Sequence, residues 1–178
     1  MDIYTIGHST HNEEEFNSIL KAYKIETLID IRSYPGSKYV PWFNKENMEV
    51  WIPENGIKYL HMPKLGGRRG KIKEVDEELI NAWRQVAFKK YAAYTLTKEY
   101  EEGINELIEI ASKARVCYMC AESLPWRCHR LLVSNTLVSK GLNVFHIMSQ
   151  SKTIKHELNL YGARAIEKDG KIIYPKDQ

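Results

Sequence analysis

Cysteine is scarce in this chain of 178 residues: there are three, all between positions 117 and 128. An odd, clustered set is no disulfide framework and fits a reducing cytoplasm. Long apolar runs are missing too. No segment approaches the roughly 20 apolar residues a membrane span needs, so no membrane association is expected. The opening MDIYTIGHST has no basic region followed by an apolar stretch, and no secretory signal is expected. Internal repeats and low-complexity tracts are absent. Neither GxGxxG nor GxxxxGK[ST] occurs, which leaves a Rossmann fingerprint and a P-loop without support. The residue six after Cys120 is Trp126, so there is no CX5R phosphatase loop, and no rhodanese-type cradle is evident. Excess charge of one sign is also lacking, at a formal net +3. That value names no partner by itself.

What is present reads as one domain over residues 1–178, of a size that buries roughly 70% of the surface its unfolded chain exposes. Short apolar runs at Ile3–Ile6, Thr27–Ile31, Ile57–His61, Arg115–Met119 and Asn143–Ile147 read as strands, and Thr27–Ile31, with no long alternation, as one buried on both faces. Helical spacing separates them. Thr10 or Asn12 caps a helix carrying Phe16, Ile19, Leu20 and Tyr23. Asn44 caps a short helix stopped by Pro53. Val75–Ala114 holds two or three helices, with Thr97 capping one. Trp126–Lys140 is a helix ended by Gly141, and Thr153–Tyr161 is another. AIEKDGKIIY is a hairpin turning at Asp169–Gly170. The expectation is an α/β fold: a mainly parallel sheet of about five strands, helices on both faces, and a small C-terminal hairpin.

Chemistry-bearing residues collect where these strands end. Gly7, His8 and Ser9 follow the first. Asp30, Arg32, Pro35 and Ser37 follow the second. Gly66, Gly67 and Arg68 follow the third. Cys120 and Glu122 end the fourth, and Cys128, His129 and Arg130 open the next helix. In a parallel sheet these positions share the carboxyl rim, where ligands bind. Residues 31–45 and 55–73 contain no Asp or Glu, and the first window adds Tyr34, Tyr39, Trp42 and Phe43. Cations with amides at Gly66–Gly67 suit a phosphate, and aromatics suit a base or sugar face. The competing reading is a solvated basic loop beside an aromatic cluster.

Three readings apply to Cys117, Cys120, Cys128 and His129. Zinc would need a tetrahedron from residues that start on different faces, so no metal is assigned and zinc is disfavoured. Cys128 near a helix start, or Cys120 at a strand end, suits a nucleophile; a buried, inert Cys128 is the plainer outcome. The third reading is a polar network, with Glu122 binding Arg130 or Arg127 bidentately. His8 would move a proton near neutral pH. Asp30 would pair with Arg32 or orient a substrate hydroxyl. His11, His61, His146 and His156 read as structural or surface residues.

TIGHS at 5–9, DIRSYPGS at 30–37, LGG at 65–67, and CAE with CHR at 120–122 and 128–130 make the chain resemble the domain-of-unknown-function 488 family of small prokaryotic α/β proteins. The resemblance implies one parallel-sheet domain and one shared site; it supplies no reaction. Lys38 stands where the family often has arginine, which keeps charge and loses the planar fork.

The expected function is that of an enzyme on a phosphorylated or nucleotide-like substrate, or a nucleic-acid terminus. His8, Asp30, Glu122, Cys120 and Cys128 are the catalytic candidates. Gly7, Ser9, Arg32, Ser37, Lys38, Gly66, Gly67, Arg68, His129 and Arg130 are the binding candidates. The alternatives are a non-catalytic nucleic-acid-binding module and a zinc-containing structural protein. The sequence fixes neither the cofactor nor the oligomeric state.

Overall fold

A computed structural model describes residues 1–176. The strands are β1 (Asp2–Gly7), β2 (Thr27–Asp30), β3 (Lys58–His61), β4 (Val116–Cys120), β5 (Asn143–Ile147) and β6 (Thr153–Lys155). They form one sheet in the order β3-β2-β4-β1-β5-β6, parallel except for β6. The helices are α1 (Glu13–Ala22), α2 (Lys45–Glu54), α3 (Val86–Tyr94), α4 (Lys98–Lys113) and α5 (Arg130–Ser139). A separate hairpin pairs β7 (Ile166–Lys168) with β8 (Lys171–Ile173). The expected single-domain α/β fold is what forms, with six strands in its main sheet. No helix among the described residues is long and apolar enough to cross a membrane.

Local sequence accounts for most boundaries. Asn12 Oδ1 accepts from the Glu15 amide at 2.8 Å and Glu15 reciprocates, a capping box that starts α1. Thr97 Oγ1 accepts from the Tyr100 amide and starts α4. Asp169 and Gly170 both take positive φ, 53° and 77°, as a two-residue hairpin turn of matching twist requires.

Three expectations need correction. Thr153–Tyr161 is not a helix: Thr153–Lys155 pairs antiparallel with β5, and positive φ at Asn159 and Gly162 prevents helical continuation. Thr153 and Ile154 are β-branched, and the free sheet edge outweighs any helical periodicity. Helix α5 starts at Arg130, not Trp126, because Pro125–Arg127 forms a 3-10 turn and Cys128 is extended (φ −142°, ψ 173°). Pro53 lies inside α2, in its last turn.

The strand order sets the site. From β1 the chain steps to β2 and β3 on one side; from β3 it returns to β4 and then crosses to β5. Right-handed crossovers therefore place α1 and α2 on one face and α3, α4 and α5 on the other. Two cores follow. Phe16, Leu20, Met48, Trp51 and Cys117 pack in one. Tyr91, Tyr100, Leu107, Tyr118 and Leu131 pack in the other. Connections leave the neighbouring strands β1 and β4 in opposite directions, so a crevice opens at their carboxyl ends.

Candidate functional site

A cleft of about 800 Å³ lies at that crevice. Most of the expected rim residues border it: His8, Ser9, Arg32, Ser37, Gly67, Arg68, Cys120, Glu122, Cys128 and His129. Arg127, Ser33, Tyr34 and Tyr91 border it as well. Gly7, Asp30, Gly66 and Arg130 lie behind its wall, and Lys38 is an exposed residue outside it.

The wall is built in layers. Asp30 is fully buried at the end of β2. Its carboxylate accepts from Arg32 Nε at 2.9 Å, Arg32 Nη2 at 2.7 Å, the Arg32 amide at 3.1 Å and the Tyr59 hydroxyl at 2.5 Å. Such saturation makes Asp30 an anchor for Arg32, with no lone pair directed at a substrate. Arg32 Nη1 then donates to His8 Nε2 at 3.1 Å. The other ring nitrogen of His8 donates to the Ser9 carbonyl at 2.8 Å, and the ring stacks on Phe43 at 4.3 Å. Burial and then the Arg32 charge lower the His8 pKa to about 4, away from the neutral range read from sequence. His8 enters the site as a neutral acceptor.

The glycines act by size. A Cβ on Gly7 would stand 1.7 Å from the Glu122 carbonyl oxygen, because residues 122–123 pass directly over β1. Gly66 meets Ser33 and its amide donates to Pro63, so it offers no free donor. The Arg68 amide is taken by Ser33 Oγ at 2.9 Å. The amide cradle expected at LGG is thus largely spent on its own loop. At Gly67 a Cβ would fall 2.5 Å from His129 Nδ1. His129 Nε2 donates to the Ile31 carbonyl at 2.8 Å, which ties α5 to β2. Gly67→Ala should swing the ring and break that bond, costing about 1–2 kcal/mol. A melting temperature equal to the parent's would contradict this.

The stretch from 120 to 130 resolves into a thiol pair and a buried cation. Cys120 Sγ lies 2.9 Å from Cys128 Sγ. Burial raises the Cys120 thiol's pKa, but a hydrogen bond from Cys128 and the Arg130 charge outweigh it and the net shift is downward. Cys128 is pushed up by burial and by its partner. Cys128 is thus held as a thiol, as the inert reading expects, and it faces Cys120 at the cleft. Cys117 points into the opposite core, and no cluster of three or more metal-ligating side chains occurs among the described residues. The CxxC…CH set therefore does not converge on a metal.

Arg130 is fully buried and makes no ion pair with a carboxylate among the described residues. Of the two pairings expected for Glu122, with Arg130 or with Arg127, neither side-chain pair forms among the described residues. Arg130 Nη2 donates instead to the Glu122 carbonyl at 2.8 Å, and the Glu122 carboxylate accepts from the Leu124 amide. The turn is held by main chain because residues 122–123 are the closest acceptors over Gly7. Arg130 Nη1 donates to Thr5 Oγ1 at 2.9 Å. Thr5 meets His146 Nδ1 at 2.7 Å, His146 Nε2 meets His156 Nδ1 at 2.9 Å, and His156 Nε2 meets Asn135 Oδ1 at 2.8 Å. Asn135 Nδ2 donates to the Tyr174 hydroxyl at 3.0 Å. Burial lowers both histidines, His146 to about 2 and His156 to about 4, so both rings are neutral at pH 7. No sequence motif marks this chain of contacts, because its members come from β1, α5, β5 and the segments after β6 and β8. His146 and His156 are structural, as read from sequence, yet they hold Arg130.

Of the cleft's cations, Arg68 sits 5.6 Å over the Tyr34 ring, and neither it nor Arg127 forms an ion pair among the described residues. Among the described residues, Glu122 is the one acidic side chain lining the cleft. The arrangement sets two arginines beside a buried thiol pair. Comparison with curated proteins and with solved structures gave no match. A family model does match, over residues 12–137, and the chain belongs to the family described as Domain of unknown function DUF488.

Proposed function

We propose that the protein is an enzyme acting on a phosphorylated or nucleotide-like substrate, a nucleic-acid terminus included, with Cys120 as its nucleophile. The observation that carries this is the buried Arg130, which has no carboxylate partner among the described residues and lies behind a thiol pair in a cleft that also holds the unpaired Arg68 and Arg127. A buried cation needs a counter-charge. The Cys120 thiolate supplies one inside the wall; Arg68 and Arg127 await another from solution. Arg32, held rigid by Asp30, presents Nη1 at the wall beside His8. An anion that engages Nη1 would free the His8 Nε2 lone pair to accept a proton. Tyr34 and Phe88 offer ring faces for a base or sugar.

A thermal-shift panel of mononucleotides, sugar phosphates and 5′-phosphorylated oligonucleotides tests this. A ligand at 100 times its Kd adds about 2.7 kcal/mol, roughly 5–10 °C at this size. We expect such a shift with a small phosphorylated compound, its loss in Arg68→Ala/Arg127→Ala, and turnover that vanishes in Cys120→Ser. A flat panel would defeat the proposal. Shifts with oligonucleotides alone, fading in salt and without turnover, would replace it with a nucleic-acid-binding module.

A further inference from the structure

We propose that Cys120 and Cys128 form a reversible dithiol–disulfide couple that reacts with low-molecular-weight disulfides admitted to the cleft. This goes beyond the phosphoryl reading and does not depend on it. The two sulfurs stand 2.9 Å apart, so they need approach by only roughly 0.9 Å to reach a disulfide length of about 2.05 Å. Cys120 is fixed at the end of β4. Cys128 lies in the extended link between the 3-10 turn and α5, where its carbonyl accepts from the Leu131 amide at 3.0 Å, so the closing movement is a side-chain rotation that leaves the first turn of α5 in place.

The surroundings favour exchange over inertness. Arg130 brings a full positive charge to the pair, and its Nε is buried with no hydrogen-bond partner among the described residues. That is an unused donor in a wall where every other arm of the guanidinium is engaged. Both cysteines border the cleft, Cys128 half-buried and Cys120 only 2% exposed, so attack on a small disulfide takes place at the cleft floor. Cys117, fully buried and in the other core, cannot compete.

The exchange balances as two displacements. The Cys120 thiolate attacks one sulfur of the reagent disulfide. A mixed disulfide forms, and the first reagent thiolate leaves and takes up the proton that Cys120 had released to solvent. The Cys128 sulfur then attacks Cys120 Sγ, forming the protein disulfide and expelling the second reagent thiolate, which takes the Cys128 proton. The protein dithiol is oxidised by two electrons, and the reagent disulfide is reduced to two thiols.

The test uses the full chain and glutathione disulfide, followed by alkylation and intact-mass analysis. In the parent protein we expect loss of the mass of two hydrogens, one alkylatable thiol remaining, and full reversal by dithiothreitol. Cys128→Ser should stop at the first step and carry a stable glutathione adduct on Cys120. Cys120→Ser should gain no internal disulfide. Three alkylatable thiols after excess oxidant, or a persistent glutathione adduct on the parent, would overturn the couple. No phosphorylated compound is present, so this result stands apart from the outcome of the ligand panel.

Discussion

Gly7→Ala is expected to destabilise the protein by about 3–5 kcal/mol and to disorganise the thiol pair. The added Cβ would lie 1.7 Å from the Glu122 carbonyl oxygen, 2.4 Å from its carbon and 2.9 Å from Ser123 Cα. All three are main-chain atoms, so no rotamer change relieves the clash. Overpacking alone costs about 1–3 kcal/mol. Lifting residues 122–123 also takes the acceptor from Arg130 Nη2, a charge-assisted bond of about 1.5–3 kcal/mol. The melting temperature should fall by roughly 10 °C or more. Alkylation of Cys120 should change with it, because Cys120 is paired to Gly7 across β1 and β4 and its sulfur also meets the Glu122 carbonyl. Gly36→Ala is the matched control. It borders the same cleft, and its Cβ would meet nothing within 4 Å. Equal stability of the two variants would refute the close-approach account.

Acidification from pH 7 to 5.5 is expected to lower the melting temperature by roughly 10 °C. His8, His146 and His156 are buried, and burial is the first cause of lowered pKa in each: about 4, about 2 and about 4, against an ordinary 6.5. Between pH 6.5 and 4 the unfolded chain therefore binds more protons than the folded one. Stability then rises with pH, and it is lost as pH falls below about 6.5. Each histidine withdraws about 1 kcal/mol by pH 5.5, together about 3–4 kcal/mol. At about 2–4 °C per kcal/mol this gives the stated drop. His129, lowered to about 4 mainly by burial, acts in the same direction. With four rings contributing about equally, His8→Asn should remove close to a quarter of the effect. A melting temperature constant from pH 7.5 to 5.5 would show that these rings are not held neutral by burial.

The sequence made the rim legible because its signals were local. Asn12, Thr97 and Asp169–Gly170 act through contacts within a few residues, and each does what its chemistry suggests. The gathering of His8, Arg32, Gly67, Cys120 and His129 followed from strand alternation alone. What was hidden depends on distance along the chain. Thr5 meets Arg130 across 125 positions, and no spacing announces that. Glu122 looked like the partner for Arg130 because it carries a charge, yet its main-chain oxygen does the work. The β6 strand was hidden because three residues carry too little periodicity, and an edge left open by β5 decides their state. The LGG loop resembled an anion cradle by composition, but Ser33 and Pro63 reach its amides first.

The hydrogen-bonded row from Arg130 to Tyr174 has one sense. With Asn135 Oδ1 turned to His156 and both rings neutral, each group donates toward Tyr174: Thr5 to His146, His146 to His156, His156 to Asn135. Arginine has no lone pair to start a reversal. A one-way row passes a proton along its sense without first turning, but Arg130 at its head does not give one up and the Asn135 amide is a poor relay, so the row insulates the cleft from the far side of the molecule. Charge placed at the thiols stays at the thiols.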